Sequence, residues 1–251
     1  MKCTCELIYL RSVADAVALR TVTVRGGGID EYYTKRLGRR VSKSRHQILD
    51  VLNHVSPGAL LDVGCSLGYT LRAACSLGLA PSGLEISEAS AKFCRDQGYS
   101  VEVGSMANMP FKTGQFQIIT MKHVLEHTPD PRRALVEVRR VLADKGGLFI
   151  AVPHGQYQKA VRNPQTSRFF APGVLDFEGG HFIYYTPATL SRLLREEGFK
   201  VVRIHPHLVH WRAPIGIRLL QIVLAPLRWA VQRLMSGLGL KKEFWLVAVK
   251  R

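Results

Sequence analysis

The most constraining feature of the sequence is the stretch from Leu60 to Tyr69, which reads LLDVGCSLGY. An apolar run ends at Asp62, small residues follow closely, and helix formers begin at Leu71, a pattern typical of a strand, a tight turn and a helix. Gly64 and Gly68 permit backbone angles that other residues avoid. The helix that follows would direct its free N–H groups at an anionic ligand. The stretch therefore predicts a ligand-binding turn.

The spacing of the small residues separates two ligand classes. A dinucleotide fingerprint needs glycines at the first, third and sixth places, which here hold Gly64, Ser66 and Tyr69. The spacing Asp-x-Gly-x-Ser-x-Gly instead resembles motif I of the class I S-adenosylmethionine-dependent methyltransferases, with Ser66 at the usual central glycine. The resemblance extends over roughly residues 30 to 208. It implies S-adenosylmethionine as methyl donor and cofactor contacts from Asp62, Gly64, Ser66 and Gly68.

The ends of later strands carry the other predicted cofactor contacts. Glu85 ends a second strand, where a carboxylate can accept hydrogen bonds from both ribose hydroxyls. The segment after the third strand resembles the family's adenine loop, which implies contacts from Ser105 and Met106. His123 follows the fourth strand. Because ligands bind at the carboxyl ends of parallel strands, these residues are expected to converge on one cofactor site.

Alternating strands and helices from 59 to 152 predict an α/β protein with a parallel sheet and helices on both faces. The helix that begins at Asp130 and Pro131 is expected to end at Gly146 and Gly147, before a fifth strand over 148–152. A helix over 187–197 and strands over 199–206 and 243–250 follow. The resemblance implies a Rossmann-like sheet of seven strands, six parallel and the last antiparallel.

Three parts are predicted along the chain. Residues 1–29 form an N-terminal extension, since three glycines at 26–28 mark a flexible break. Residues 30–210 and 243–251 form the methyltransferase domain that the resemblance implies. Residues 211–242 form a basic, apolar helical insertion before the last strand.

The insertion and its flanks have an unusual composition. From 198 to 242 there is no acidic residue, while eight cations occur: Lys200, Arg203, Arg212, Arg218, Arg228, Arg233, Lys241 and Lys242. The uncharged run over 219–227 is too short to span a membrane. A wide apolar arc with Arg side chains and Trp229 predicts that 214–236 lies on an anionic membrane surface. The alternatives are a helical pair packed on the sheet edge, a lid and a dimer interface.

Composition limits the partners and the compartment. Lys and Arg number 35 against 19 Asp and Glu, a net charge of +16, which favours nucleic acid, anionic lipid or an acidic substrate. Five cysteines without framework spacing indicate a reducing compartment. No signal peptide is predicted, because Arg11, Asp15 and Arg20 interrupt the first apolar stretch. We expect a cytoplasmic protein with peripheral contact at the inner membrane face.

Methyl transfer needs alignment of donor and acceptor rather than a covalent enzyme intermediate. Candidate general bases are His127, His154 and His181, since imidazole titrates near neutral pH. The Val-Leu-Glu-His segment resembles one in ubiquinone-type O-methyltransferases, where nearby acids and this His are associated with a divalent cation. The resemblance implies Glu126 and His127 as metal ligands. Their pattern begins with an acid where this chain has His123, so a metal is not expected.

The leading hypothesis is methyl transfer to a small-molecule or lipid-like acceptor. An RNA or DNA methyltransferase is a second hypothesis, favoured by the basic charge. Against it, the fourth strand exits through residues 120–123, which read TMKH rather than the Asn/Asp-Pro-Pro-aromatic tetrad of exocyclic-amine methylases. A third hypothesis is a non-catalytic subunit with the cofactor fold, which uses 211–242 to hold a membrane or a partner.

Overall fold

A computed structural model describes residues 8–9, 29–155, 182–206 and 243–251. Its strands are β1 Ile8–Tyr9, β2 Leu60–Val63, β3 Pro81–Glu85, β4 Ser100–Val103, β5 Phe116–Lys122, β6 Leu142–Pro153, β7 Ile183–Tyr184, β8 Phe199–Pro206 and β9 Glu243–Lys250. Its helices are α1 Ile29–Leu52, α2 Tyr69–Cys75, α3 Glu88–Asp96, α4 Pro131–Val141 and α5 Pro187–Glu196, with a short 3₁₀ helix at Leu125–His127.

Seven of the strands form one sheet in the order β4-β3-β2-β5-β6-β9-β8. Strands β2 to β6 pair in parallel, and β9 runs antiparallel to both of its neighbours. The predicted sheet of six parallel strands and an antiparallel last strand is therefore confirmed. A two-stranded pair was not predicted: Ile8 and Tyr9 of β1 lie antiparallel to β7.

Apolar layers cover both faces of this sheet. On one face, α1 and α2 pack against the strands, with Ile48 of α1 and Phe149 of β6 fully buried in the same cluster. On the other face, α4 and α5 contribute Leu135 and Leu194 to a larger cluster that includes Met121 of β5. Helices on both sides explain why the central strands read as continuous apolar runs.

Two helices begin where the sequence predicts. The Asp130 carboxylate accepts the main-chain N–H of Arg133 at 3.0 Å, and Pro131 occupies the first turn of α4. Thr186 and Thr189 form a reciprocal capping box at the start of α5. Each cap satisfies N–H groups that a helix leaves unpaired, an effect worth about 1 kcal/mol.

The predicted end of α4 is wrong. The helix ends at Val141, and β6 already begins at Leu142, so Gly146 and Gly147 lie inside the strand. The pairing of β5 with β6 shifts register between Phe116 and Ile118, which marks an irregularity in this part of the ladder. At Gly147 an added Cβ would lie 2.6 Å from Val51 Cγ1 of α1. The glycine is therefore required for helix-on-sheet packing rather than for ending a helix.

The structure tests the predictions about the membrane and the insertion only in part. Within the described ranges, no helix has the length and apolar character that crossing a bilayer requires. The insertion 211–242, with the segment 214–236 predicted to contact a membrane, lies outside those ranges, as does His181.

Candidate active site at the carboxyl edge of the sheet

Main-chain hydrogen bonds tie the loops after β2, β3 and β4 into one surface. The N–H of Gly64 donates to Leu84 O at 2.7 Å, and the N–H of Gly104 donates to Glu85 O at 3.0 Å. The carboxyl ends of β2, β3 and β4 therefore lie side by side, as the sequence predicts. Residues after β5 and β6 complete the same edge, since both strands run parallel to β2.

The turn after β2 has an unusual backbone. Gly64, Ser66 and Gly68 have φ angles of 69°, 49° and 74°, all in the left-handed region. Ser66 is the costly member, because a residue with a Cβ loses on the order of 1 kcal/mol in this conformation. Its N–H donates to Glu85 Oε2 at 2.8 Å, which helps hold the conformation. Three left-handed residues at alternate positions make a tightly folded turn in which Ser66 is the exposed residue.

Glu85 organises its surroundings through three hydrogen bonds. Oε2 accepts the Ser66 N–H, and Oε1 accepts the N–H groups of Ile86 at 2.9 Å and Ser87 at 3.0 Å. An ionised carboxylate has about four acceptor positions, so one remains on Oε2. The predicted contact of Glu85 with both ribose hydroxyls stays a prediction.

The two turn glycines also allow close packing. A Cβ on Gly64 would lie 2.5 Å from Val124 Cγ2, and a Cβ on Gly68 would lie 3.1 Å from Cys94 Sγ. The first contact joins the β2 turn to the loop after β5. Gly64 is thus needed for contact with Val124 as well as for its positive φ.

Asp62 lies beneath the turn rather than in it. Its carboxylate is buried and accepts the hydroxyl of Thr120 on the neighbouring strand. Burial raises the pKa of Asp62, although the charge of Lys122 and the hydroxyl of Thr120 oppose the rise. Burial likewise lowers the pKa of the Lys122 ammonium, which donates to Ser44 Oγ at 2.8 Å. This polar cluster supports the turn from the α1 side of the sheet.

Ser105 and Met106 follow β4. The Ser105 hydroxyl accepts the N–H of Ala107 at 3.2 Å, so it stabilises its own turn. Ser105 is exposed, and Met106 is half-buried against the larger apolar cluster. Both residues lie near the carboxyl end of β4, and their proposed contacts with adenine stay a prediction.

Aromatic side chains from α1 cover the start of α2. The Tyr33 ring stacks on Tyr69 with centroids 5.2 Å apart and meets Phe93 edge-on at 5.1 Å. The guanidinium of Arg40 lies 5.3 Å from the Tyr69 ring centroid. Helix α1 is therefore anchored beside the β2 turn by stacking and by a cation–π contact.

His123 is engaged with two carboxylates. Its Nε2 lies 2.8 Å from Glu243 Oε2, and its Nδ1 lies 3.3 Å from Glu126 Oε1. Burial opposes protonation, but the two acids outweigh it and raise the pKa of His123 to about 9. Nε2 is hydrogen-bonded to Glu243, whereas Nδ1 makes only the longer contact with Glu126, and the cofactor contact that the sequence suggested stays a prediction. The partnership also keeps the pKa of Glu243 below its usual range, against the effect of burial.

The candidate bases separate by environment. His127 is half-buried in the 3₁₀ helix, and His154 is buried with its ring 5.5 Å from that of Phe244. Glu126 and Tyr185, by contrast, are fully buried, yet neither Glu126 carboxylate oxygen nor the Tyr185 hydroxyl has a regular hydrogen bond within the described part of the chain. From the sequence, Glu126 is predicted only as a metal ligand, through the resemblance. Its position beside an apolar Val-Leu pair was the available signal for burial.

Tyr185 lies in the larger apolar cluster and is influenced by the charge of Glu126. Burial raises the pKa of the Tyr185 phenol, and the charge of Glu126 raises it further. Main-chain bonds fix both residues: Phe182 N–H donates to Glu126 O at 2.8 Å, and Gly155 N–H donates to Tyr185 O at 2.7 Å. The backbones of both residues are therefore fixed near the carboxyl edge.

The donor set does not suit a metal ion. Across the described ranges, no group of three or more His, Cys, Asp or Glu side chains is arranged to hold one. The Glu126 carboxylate that the resemblance implies as a ligand faces the His123 ring at 3.3 Å instead. We therefore derive no step through a metal.

The residues do fit a nucleoside bound at its ribose. The left-handed turn from Gly64 to Gly68 presents the exposed Ser66, and the Glu85 carboxylate beside it accepts three main-chain N–H groups out of about four acceptor positions. Together they would hold S-adenosylmethionine with its sugar at Glu85.

Comparisons with known proteins identify the family. A family model described as a methyltransferase domain matches residues 33–204. The ubiquinone biosynthesis O-methyltransferase of Methylococcus capsulatus is 24% identical over 180 residues, which cover 59% of this chain and 76% of that protein. The protein of the same name from Thiobacillus denitrificans is 28% identical over 152 residues, covering 56% and 64%.

A solved structure supports the fold. The S-adenosylmethionine-dependent methyltransferase from Archaeoglobus fulgidus aligns with a TM-score of 0.60 at 17% identity, covering 87% of this chain and 99% of that one. Since the family model matches well over half of the chain, the protein belongs to the class I S-adenosylmethionine-dependent methyltransferases, and S-adenosylmethionine is its methyl donor.

Proposed function

We propose that this methyltransferase methylates a hydroxyl oxygen of a small, lipid-like acceptor. The observation that carries the proposal is the buried pair formed by Glu126 and Tyr185, whose polar atoms have no regular hydrogen bond among the described residues. Buried polar groups are normally paired, so such atoms are candidates to be completed by a ligand. The ubiquinone biosynthesis O-methyltransferases named above support oxygen as the accepting atom.

The proposed chemistry assigns a role to each side chain of the pair. Glu126 accepts the hydrogen bond of the acceptor hydroxyl, and Tyr185 donates to a second oxygen of the acceptor. Bound S-adenosylmethionine supplies an electrophilic methyl group, whose bond to sulfur breaks as the bond to oxygen forms. The proton of the hydroxyl passes to Glu126. Alignment in such a site is worth about 7 to 11 kcal/mol, and a general base adds about 10² to 10⁴ in rate.

Val124 and Glu126 relate the acceptor pair to the donor site. Val124 contacts Gly64 in the β2 turn, and Glu126 follows two residues later in the same loop. His127 and His154 are the alternative bases on this edge, and His181 remains a third outside the described ranges. Glu126 is preferred because its carboxylate is fully buried and neither of its oxygens has a regular hydrogen bond among the described residues.

A variant of Glu126 tests the proposed base. Glu126→Gln keeps the size of the side chain but removes its basicity, so we expect kcat to fall by about 10² to 10⁴ while S-adenosylhomocysteine binds as before. Glu102→Gln is the matched control, since Glu102 is exposed on β4. A fall confined to His127→Gln or His154→Gln would contradict the assignment of Glu126.

Labelling tests the class of acceptor. Cell extract is incubated with the protein and methyl-labelled S-adenosylmethionine, then divided into organic-soluble, nucleic-acid and protein fractions. We expect the label in the organic-soluble fraction as a methyl ether, which base does not hydrolyse to volatile methanol. Label that nuclease treatment releases would instead support the RNA or DNA alternative, which the basic charge favours.

Membrane contact is proposed as the means by which the protein reaches a lipid-like acceptor. Five of the exposed cations of α1 recur at close intervals along the helix: Lys35, Arg36, Arg39, Arg40 and Lys43. Their spacing of three and four residues puts them on adjoining parts of one helical face. Each basic residue near an anionic surface adds about 1 kcal/mol. The segment 214–236 is proposed as the apolar part of the same contact.

Sedimentation with vesicles tests this contact. Full-length protein is compared with the Lys35→Glu/Arg39→Glu variant and with a Lys92→Glu/Lys112→Glu control, which changes the charge equally at exposed positions away from α1. We expect binding to phosphatidylglycerol vesicles to weaken only in the first variant. A further comparison deletes 214–236. If every form sediments equally, membrane contact through these regions is rejected.

A further inference from the structure

Two charged side chains of helix α4 bind the main chain of the segment that follows β4, residues 105–111. Arg140 Nη2 donates to Met109 O at 3.0 Å, and Arg140 Nη1 donates to Phe111 O at 2.7 Å. Glu137 Oε2 accepts the Met109 N–H at 2.9 Å. Both the N–H and the carbonyl of Met109 are therefore bound by α4.

Glu137 and Arg140 are also bound to each other. Arg140 Nε donates to Glu137 Oε1 at 2.8 Å, and Arg140 Nη2 donates to Glu137 Oε2 at 2.9 Å. A two-point pair of this kind orients both planar groups, because the guanidinium and the carboxylate match in geometry. The hydrogen bond from Arg140 lowers the pKa of Glu137. The carboxylate is therefore ionised near neutral pH and accepts the main-chain N–H of Met109.

The spacing of the charged residues along α4 follows the segment. Arg133, Glu137 and Arg140 stand four and three residues apart, which places them on one face of the helix. Arg133 Nε donates to Ala107 O at 3.3 Å, so guanidinium groups bind the carbonyls of residues 107, 109 and 111. The helix itself is fixed by its opposite, buried face: Ala134, Leu135, Val138 and Val141.

The bonds from α4 differ from those that the segment makes with itself. The Ser105 hydroxyl accepts the Ala107 N–H, and Ser105 O accepts the Asn108 N–H at 3.2 Å, so these bonds shape a local turn. The bonds to Glu137 and Arg140 instead fix the turn relative to a helix of the core. Both kinds are needed if the main chain of the segment is to hold one position at the carboxyl edge.

We propose that Glu137 and Arg140 are positioning residues for the donor site, and that they hold residues 105–111 in the shape that receives the adenine base of S-adenosylmethionine. The inference rests on the predicted contacts of Ser105 and Met106 with adenine. Hydrogen bonds to a base edge depend strongly on position, so the groups that make them need support from residues behind them. In this account, the pair acts through the main chain of the segment and not on the cofactor itself.

The test compares two ligands that differ only in the base. Isothermal titration calorimetry measures the affinities for S-adenosylhomocysteine and for S-inosylhomocysteine, in which a keto group replaces the adenine amine. The proteins are wild type, Arg140→Gln, Glu137→Ala and the conservative variant Glu137→Gln, which keeps an oxygen for the Met109 N–H. Arg132→Gln is the matched control, since Arg132 pairs with Glu196 and Glu197 of α5 and removes charge from the same helix.

The proposal predicts a change in the ratio of the two affinities. Wild type and Arg132→Gln should bind S-adenosylhomocysteine at least about tenfold more tightly than S-inosylhomocysteine, because the wrong base leaves hydrogen-bonding groups unpaired. In Arg140→Gln and Glu137→Ala the ratio should fall to about one to three, and Glu137→Gln should keep most of it. A general loss of stability would lower both affinities alike and leave the ratio unchanged.

An unchanged ratio in folded Arg140→Gln and Glu137→Ala proteins would overturn the proposal. The milder Glu137→Ala variant decides the question if Arg140→Gln does not fold. Equal binding of the two ligands by wild type would also overturn it, because residues 105–111 would then not recognise the base. That result would leave the methyltransferase activity and the proposed acceptor untouched, since the titrations contain no acceptor.

Discussion

The side chain of Val124 packs directly against the main chain of Gly64: a Cβ built on Gly64 would lie 2.5 Å from Val124 Cγ2. This contact links the turn that would hold the cofactor to the loop that carries Glu126. The proposed donor and acceptor sites therefore share a structural element only a few residues long, and substitutions there would report on both.

Gly64→Ala is expected to lower the free energy of unfolding by about 2 to 4 kcal/mol, since it combines the cost of φ at 69° with a clash against Val124. Urea denaturation measures the loss. Gly78→Ala is the control, because Gly78 has φ of 74° but no atom within 4 Å of an added Cβ, so it reports the backbone cost alone. Adding Val124→Ala should recover the clash component. Equal losses for Gly64→Ala and Gly78→Ala would show that the contact with Val124 is unimportant.

The ion pair between His123 and Glu243 should make stability depend on pH. The pKa of His123 is raised from 6.5 to about 9, so its contribution is complete below pH 6.5 and is lost as pH rises through 9. The pKa of Glu243 is lowered from 4.5, so its contribution is complete above pH 4.5 and is lost in acid. The pair is therefore fully effective between those limits.

Because the His123 side chain is 42% exposed, solvent screening reduces the expected loss between pH 6.5 and pH 9.5 to about 1 kcal/mol. Thermal unfolding of wild type and His123→Gln at both pH values measures the difference. The variant should lose less stability over this range than wild type does. Parallel losses in the two proteins would assign the pH dependence to other groups.

The hydroxyl of Thr120 should be important for the buried carboxylate of Asp62. Thr120→Val keeps the shape of the side chain but removes a donor to a buried acid, at an expected cost of about 1.5 to 3 kcal/mol. The pKa of Asp62, already raised by burial, should rise further. Thr113→Val, at an exposed position, is the control for chemical denaturation. A Thr120→Val protein as stable as wild type would mean that Asp62 does not depend on this bond.

The sequence was sufficient for the architecture because its signals are local. Apolar runs, turn glycines and helix caps such as Asp130 and Thr186 depend on neighbours a few residues away, and their physical effects survive in the folded chain. The end of α4 was missed for the opposite reason. Gly147 resembles a helix terminator, but its lack of a side chain is required by Val51, which is distant in sequence.

The location of the candidate site could be predicted from the sequence, but the hydrogen-bond partners of its side chains could not. Strand ends indicated where Glu85 and His123 would lie, since parallel strands bring their carboxyl ends together. The partnership of His123 with Glu243 joins residues 120 positions apart, and no local pattern encodes it. The three hydrogen bonds that main-chain N–H groups donate to the Glu85 carboxylate could not be predicted either, because they depend on the path of the Ser66 backbone.

The most direct test of the account is the affinity for S-adenosylhomocysteine measured by isothermal titration calorimetry on wild type, Glu85→Gln and the exposed control Glu102→Gln. We expect wild type and Glu102→Gln to bind one equivalent equally well. Glu85→Gln should bind about 10- to 150-fold more weakly, because a hydrogen bond to a charged group is worth about 1.5 to 3 kcal/mol. Unchanged affinity in a folded Glu85→Gln protein, or no binding by wild type, would contradict the placement of the cofactor at Glu85.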